Sequence, residues 1–350
     1  MKIVLGLSGG VDSSVAAALL SEAGHDVTAF TLLLGHADPD GVHRCCRPSD
    51  VRDARAVADR LGIPHYIWDY KDLFNEKVLT PFLNGYQSGI TPNPCGMCNR
   101  SVRFGVVLER ALRLGFDALA TGHYARVEAG GLYRGLDPQK DQSYFLSRIK
   151  PESLGHLIFP LAHLTKQRVR QIAADMGLPT SEKPESQEIC FVSGRTPDFL
   201  ATHLGVRPGE IVDRSGRVLG RHGGVHQFTL GQRRGIGVSS PEPLYVTALD
   251  ARANRVTVGT KEETFRHRVH VVECNVFLRR EEVRPRLSSA DSALTAQFRY
   301  HAKPIAVQVM DASADEMDLG LAEPAFAPAP GQIAALYEGD RVIASGLIAA

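Results

Sequence analysis

Two short runs in this 350-residue sequence carry side chains able to do chemistry together. The first is Ser8-Gly9-Gly10-Val11-Asp12-Ser13-Ser14, set between an apolar run and an alanine-rich helical pattern. Two glycines let the backbone come close to a ligand, and the helix behind them offers unpaired N–H groups and the positive end of its dipole to an anion. Ser8, Ser13 and Ser14 add hydroxyl donors, and Asp12 is a candidate Mg²⁺ ligand. The Gly-Lys-Ser/Thr ending of a Walker A loop is missing. The second run is Thr91-Pro92-Asn93-Pro94-Cys95-Gly96-Met97-Cys98-Asn99. The spacing of Cys95 and Cys98 lets two thiolates face one metal ion or form a redox pair. A four-cysteine zinc site calls for a second C-x-x-C, which the sequence lacks. Cys190, in Ser186-Gln187-Glu188-Ile189-Cys190-Phe191-Val192, has apolar neighbours and by itself reads as a core cysteine. Cys45 and Cys46 are adjacent, a poor geometry for chelating one ion.

The elements that must position these groups alternate between strand and helix. Strands are expected over residues 2–7, 26–34, 65–70 and 117–121. Helices are expected over 11–23, 49–61 (Ser49 as N-cap), 102–114 and 164–176, with Gly24, Gly62, Gly115 and Gly177 as their stops. This rhythm predicts an α/β doubly wound parallel sheet. Beyond about residue 199 glycines cluster, and from about residue 266 the chain reads as strands over 269–277, 293–300, 305–309, 332–337 and 341–347, as in a small barrel or sandwich. The expected division is residues 1–199, a small central module over 200–264, and a β domain over 265–350.

The formal net charge is +1, so any RNA-binding surface has to be a local patch. No apolar stretch approaches the roughly 20 residues that span a bilayer, and the expected location is cytoplasmic, with no membrane partner. In a reducing cytosol the six cysteines point to catalysis or metal binding before structural disulfides.

With these motifs in place, the sequence resembles the bacterial tRNA-specific 2-thiouridylases nearly end to end. Supporting stretches are Ala120-Thr121-Gly122-His123-Tyr124, Lys140-Asp141-Gln142-Ser143-Tyr144-Phe145-Leu146, Thr229-Leu230-Gly231-Gln232-Arg233-Arg234-Gly235, Arg299-Tyr300 and Pro330-Gly331-Gln332. The first loop resembles those of enzymes that split ATP between the α and β phosphates. The resemblance implies an ATP-pyrophosphatase domain, a small central linking and tRNA-binding module and a C-terminal β-barrel. It implies ATP-dependent 2-thiolation of the wobble uridine in tRNAs for Lys, Glu and Gln, by adenylation of the C2 oxygen and attack of sulfur. Gly6, Leu7, Ser8, Gly9, Gly10, Val11, Asp12, Ser13, Leu32 and Gly122 would bind ATP. Cys98 would be the nucleophile and Cys190 the persulfide carrier. Asn93, Pro94 and Cys95 would face the target base. His123, Lys140, Asp141, Gln142, Arg299, Tyr300 and Gln332 would touch tRNA. Without the resemblance, His123 reads as a hydrogen-bonded histidine at a strand end, and Lys140 with Asp141 as a solvated pair.

One position departs from the family pattern: well-known members carry Asp where this sequence has Cys95. Cys95, Cys98 and Cys190 then supply three thiolates, enough to hold a 4Fe–4S cluster with one iron open. The sulfur donor is expected to be a persulfide-carrying protein or inorganic sulfide. An ATP-dependent ligase using an amine nucleophile shares the loop but needs no cysteine trio, and a non-catalytic RNA-binding iron–sulfur protein releases no pyrophosphate.

Overall fold

The computed structural model describes residues 1–35, 47–184, 189–192, 194–278 and 293–350. Cys45 and Cys46 lie outside the described residues. The chain divides into two compact units. One comprises Met1–Lys77, Cys95–Phe191 and Asp340–Val342; the other comprises Val78–Pro94, Val192–Gly339 and Ile343–Ala350. No described helix is long and apolar enough to cross a membrane.

In the first unit, strands β1 (Lys2–Gly6), β2 (Asp26–Leu33), β3 (His65–Asp69) and β4 (Ala118–Thr121) are followed by a hairpin, β5 (Ala125–Glu128) and β6 (Gly131–Arg134), and by the short β7 (Leu157–Ile158). The sheet order is β3-β2-β1-β4-β7, with every pair parallel. Parallel strands covered on both faces need continuous apolar runs, which explains why Ile3, Val4 and Leu5 are all fully buried. Helix α1 (Val11–Glu22) is apolar on nearly every side, and Val15, Ala16, Ala17 and Ala18 are fully buried. Such a helix belongs in a core.

Helix α2 (Pro48–Leu61) begins one residue before the expected Ser49 cap. Pro48 suits a first helical position because it has no N–H to satisfy, and the cap is Arg47, whose backbone N donates to Asp50 Oδ2 at 3.2 Å. The expected helix over 102–114 starts earlier. Helical backbone runs from Pro94–Cys98 through wide, π-type turns over Asn99–Val106 into Val107–Arg113. A Cβ on Gly105 would lie 2.8 Å from the Arg100 carbonyl oxygen five residues back. The wide turn therefore needs a glycine there, and it shifts the register between Cys98 and Arg103.

The second unit contains a four-stranded sheet of β8 (Gly209–Val212), β9 (Val218–His222), β10 (Tyr245–Asp250) and β11 (Arg255–Gly259), in the order β10-β11-β8-β9. Ile211, Val225, Phe228, Val246, Val256 and Val258 form its core. The remaining strands are β12 (Phe265–Val276), β13 (Leu294–Gln297), β14 (Ile305–Ala312), β15 (Glu316–Phe326), β16 (Ile333–Glu338) and β17 (Arg341–Ile348). They run β12-β15-β14-β13-β16-β17, and β12 pairs with β17 to close the barrel. Closure removes the exposed strand edges. Alternate residues such as Val307 and Val309, or Met317 and Leu319, fill the interior. Of these strands β15 has no counterpart in the sequence reading, since its Glu, Asp, Gly and Pro content masks the alternation.

His222 and His226 are buried beside the four-stranded sheet, and the Nε2 of each has no hydrogen-bond partner. Burial lowers both imidazoles from the ordinary value of 6.5. A histidine whose folded pKa lies below its unfolded one takes up its proton on unfolding, so its stability contribution is whole above about pH 6.5 and shrinks as the pH falls. Urea melts from about pH 7.5 to about pH 5 are expected to show stability falling through these groups, and His226→Gln should flatten that dependence.

Candidate active site

The strand order reverses direction at β1: β2 and β3 lie to one side, β4 and β7 to the other. In open α/β sheets ligands bind at the carboxyl ends of the strands at such a switch point. The loop of Ser8, Gly9 and Gly10 leaves β1 there, and Gly122 and His123 leave β4 beside it. A Cβ on Gly122 would sit 2.8 Å from Asp12 C and Ser13 N, so only glycine lets the α1 N-terminus press against the end of β4. The loop is braced from within. Ser13 Oγ donates to the Gly10 carbonyl at 3.1 Å and accepts from Ser8 N at 3.2 Å. Ser14 Oγ donates to the same carbonyl at 2.8 Å and accepts from Thr180 Oγ1 at 2.8 Å. Of the expected ATP-binding residues, Gly6, Leu7, Ser8, Gly9, Gly10, Val11, Asp12 and Ser13 form this one turn. Leu32 lies near the end of the neighbouring β2, and Gly122 follows β4.

Asp12 is held by groups distant in sequence. Lys166 Nζ donates to Oδ1 at 2.7 Å and to Oδ2 at 2.8 Å, and Tyr124 Oη donates to Oδ1 at 2.6 Å. The carboxylate expected to bind Mg²⁺ thus has an ammonium partner on both oxygens. Among the described residues no group of three His, Cys, Asp or Glu side chains is arranged to hold a metal ion.

The cysteine helix Pro94–Cys98 places Cys95 and Cys98 three residues apart on one turn. Cys98 is buried, Cys95 half-buried and Cys190 exposed. Burial, then the charges of Cys190 and Cys98, push the Cys95 thiol up to about 12, against a smaller opposing effect of Arg103. Arg103 Nη1 donates to Asn99 Oδ1 at 3.0 Å and lies 3.4 Å from His123 Nε2. Burial and then Arg103 lower His123 to about 3, so its ring is neutral at physiological pH. Nε2 facing a guanidinium is the acceptor, and the proton then belongs on Nδ1, 2.7 Å from Thr121 Oγ1. The charges of Cys190 and Cys98 both act on Cys95, and the three sulfurs differ in their surroundings. One is exposed while another is buried, and Cys95 favours its protonated form.

The remaining expected residues divide between the units. In the first, Asp141 is buried and accepts from Arg134 Nη1 at 2.9 Å, Gly135 N at 3.1 Å, Ser143 N at 3.0 Å and Ser143 Oγ at 2.8 Å. The Gln142 backbone N donates to the Tyr124 carbonyl at 2.9 Å, and Gln142 Oε1 accepts from Tyr124 N at 3.0 Å. Both residues build the loop. Lys140 is half-buried. His123 packs against Phe104 and Phe159. In the second unit Asn93 and Pro94 are buried. Arg299 Nη2 donates to the carbonyls of Leu230 at 3.0 Å and Ala327 at 2.6 Å, and Tyr300 stacks on His301. Gln332 Nε2 donates to the Thr91 carbonyl at 2.9 Å, bracing the segment that leads into Asn93. Sequence reasoning missed Lys166, Tyr124 and Arg103. Tyr124 was in view within the quoted Thr121-Gly122-His123-Tyr124 stretch, whereas nothing local singles out Lys166.

A glycine loop at a helix N-terminus on a parallel-sheet switch point, with a cysteine pair on a helix of the same unit, defines a nucleotide-binding α/β enzyme with thiols at its disposal. Family models agree along the whole chain: the tRNA methyl transferase HUP domain matches residues 1–194, the tRNA methyl transferase PRC-barrel domain residues 197–260, and the aminomethyltransferase beta-barrel domain residues 266–348. The tRNA-specific 2-thiouridylase MnmA of Synechococcus sp. (strain JA-2-3B'a(2-13)) is 44% identical over 356 residues, covering 99% of this chain and 94% of that protein. That of Sorangium cellulosum (strain So ce56) is 45% identical over 366 residues, covering 100% and 92%. The chain belongs to the tRNA-specific 2-thiouridylase family. Among solved structures, NMN synthetase from Francisella tularensis is similar at 21% identity and a TM-score of 0.34, covering 53% of this chain and 66% of that one.

Gly122→Ala should cost about 1–3 kcal/mol of stability, because the added methyl meets backbone with nowhere to move. It should weaken ATP binding more than tRNA binding, as equilibrium dialysis with each ligand would show; unchanged ATP affinity would contradict the close packing of loop and strand end.

Proposed function

We propose that the protein is a tRNA-uridine 2-sulfurtransferase, replacing the C2 oxygen of the wobble uridine in tRNAs of the Lys, Glu and Gln type with sulfur at the expense of ATP. The observation that carries this reading is the combination, in one unit, of the nucleotide loop at the switch point with the Cys95–Cys98 helix. Identity of 44% over 94% of the length of a named 2-thiouridylase supports the substrate.

The uridine C2 oxygen is a poor leaving group. Its attack on the α-phosphate of ATP gives an O-adenylate and pyrophosphate, after which AMP can leave in place of oxide. The first-turn amides of α1 stabilise the charge that develops on the phosphates. Mg²⁺ brought with the nucleotide would neutralise part of that charge. Anticodon-loop bases are single-stranded, so extruding one into a pocket is inexpensive.

A persulfide-carrying donor protein loads Cys190, whose exposure suits transfer from a partner. The terminal sulfur of the Cys190 persulfide attacks C2 and expels AMP. The Cys98 thiolate then attacks Cys190 Sγ, forming a Cys98–Cys190 disulfide and releasing the C2–sulfur bond as thiouridine. Two electrons from an external thiol reductant restore both cysteines. Cys95, with its thiol protonated, serves here as a neutral neighbour of the base.

Metal-free protein given ATP, Mg²⁺, transcript tRNA and a persulfide donor under anaerobic conditions should form 2-thiouridine, detected by nucleoside mass spectrometry. Cys98→Ser and Cys190→Ser should each lower the rate by about 100-fold or more. Thiolation from inorganic sulfide that needs iron–sulfur reconstitution, and also fails in Cys95→Ser, would replace the persulfide route with a 4Fe–4S cluster on Cys95, Cys98 and Cys190.

A further inference from the structure

Lys166 occupies an unusual place. It is the first residue of the helix Lys166–Asp175, where the dipole disfavours a cation. It is also 9% exposed, although lysine is rarely buried without a partner. Its backbone N donates to Asp137 Oδ2 at 2.9 Å, which pins the start of the helix. Thr165 caps the same turn by accepting from Arg168 N. Local helix energetics therefore do not explain a lysine here, and the compensating interaction is with Asp12, 154 positions away.

Asp12 itself lies in the first turn of α1, among the amides that would receive a polyphosphate. A carboxylate in that position repels the incoming anion. Lys166 on both carboxylate oxygens cancels this repulsion, and an ammonium so far removed from water is weakly screened. Tyr124 Oη also donates to Oδ1, so Asp12 keeps a hydrogen bond when Lys166 turns. An ammonium is a point charge on a flexible stem with three donors, and it can bridge a carboxylate and a phosphate oxygen by rotation.

We propose that Lys166 is an ATP-binding residue of this enzyme: held on Asp12 at the mouth of the loop, its ammonium binds a phosphate oxygen of the nucleotide alongside the α1 amides. The proposal rests on the nucleotide reading of the loop and is independent of which sulfur route operates. Asp12 then acts as a positioning residue, aiming the ammonium, and Tyr124 orients Asp12.

The test is equilibrium binding of ATP with Mg²⁺ to the full-length protein without tRNA or sulfur donor, so that a failure of the thiolation reading would leave the result interpretable. Lys166→Met should raise the ATP Kd by roughly 10–100-fold, as expected for loss of a charge-assisted contact to phosphate. Lys166→Arg should recover part of the loss. The double variant Asp12→Asn/Lys166→Met separates the two roles of the lysine. If Lys166 only neutralised Asp12, removing both charges would restore parental affinity, and that result would overturn the proposal. If it touches phosphate, relieving the Asp12 repulsion recovers only part of the loss, and the double variant still binds ATP more weakly than the parent. Should Lys166→Met fail to give a cooperative melt, Lys166→Gln keeps a donor to Asp12 without the charge; its Kd must rise by the same order, and unchanged binding would equally overturn the assignment. Failure of the parent to bind ATP would overturn it outright.

Discussion

Three segments distant in sequence converge on the carboxylate of Asp12, and the first unit is organised around that convergence. Asp12 opens α1, Tyr124 follows β4, and Lys166 opens a later helix. Breaking a fully buried ion pair costs several kcal/mol, and less here because 32% of the Asp12 side chain is open. The tie continues through further hydrogen bonds and a second ion pair. Tyr124 pairs with Gln142 through backbone and side chain, and Asp141 next to it gathers Arg134, Gly135 and Ser143. A position that must bind an anion is thereby fixed by the same groups that fix the fold, so the loop cannot easily relax without loosening the sheet end beneath it.

The sulfur side of the unit is governed by an opposite constraint. Cys98 is buried, and Cys95 has its thiol pushed to about 12. Thiolates in such surroundings need a cation. Arg103 is the group whose charge favours ionisation of Cys95, and it is held by two uncharged acceptors, Asn99 Oδ1 and the neutral ring of His123. Because those partners bear no negative charge, the guanidinium field remains available to the sulfurs. Burial of His123 against Phe104 and Phe159 keeps the ring neutral, so packing on one side of the ring protects the electrostatics on the other.

The parts legible in the sequence are those written in local pattern. The β1–loop–α1 unit showed as an apolar run, two glycines and an alanine-rich helix, and the strands of the closing barrel showed mostly as alternation. Local rules failed where a distant group decides. Ser49 looked like a cap, but Pro48 and Asp50 settled the helix start. The helix thought to begin at residue 102 is continuous with the cysteine turn, because wide turns around Gly105 hide the usual period. Asp12 reads locally as a candidate Mg²⁺ ligand, and its lysine partner, 154 positions away, is invisible to a local reading.

The same distinction bears on the residues that the family resemblance assigns to tRNA. Asp141, Gln142 and Gln332 are polar and lie in recognisable motifs, yet their side chains are engaged inside the protein. Gln332 bonds to the Thr91 carbonyl, and Thr91-Pro92 runs directly into Asn93 and the cysteine helix. A substitution at Gln332 would therefore disturb the Thr91-Pro92 segment whether or not the side chain ever meets RNA. Lys140, half-buried and cationic, carries the one charge in its motif that suits a phosphate. Neighbours such as Asp141 and Gln142 hold this loop in place, so a loss of activity on their substitution measures the scaffold before it measures any contact.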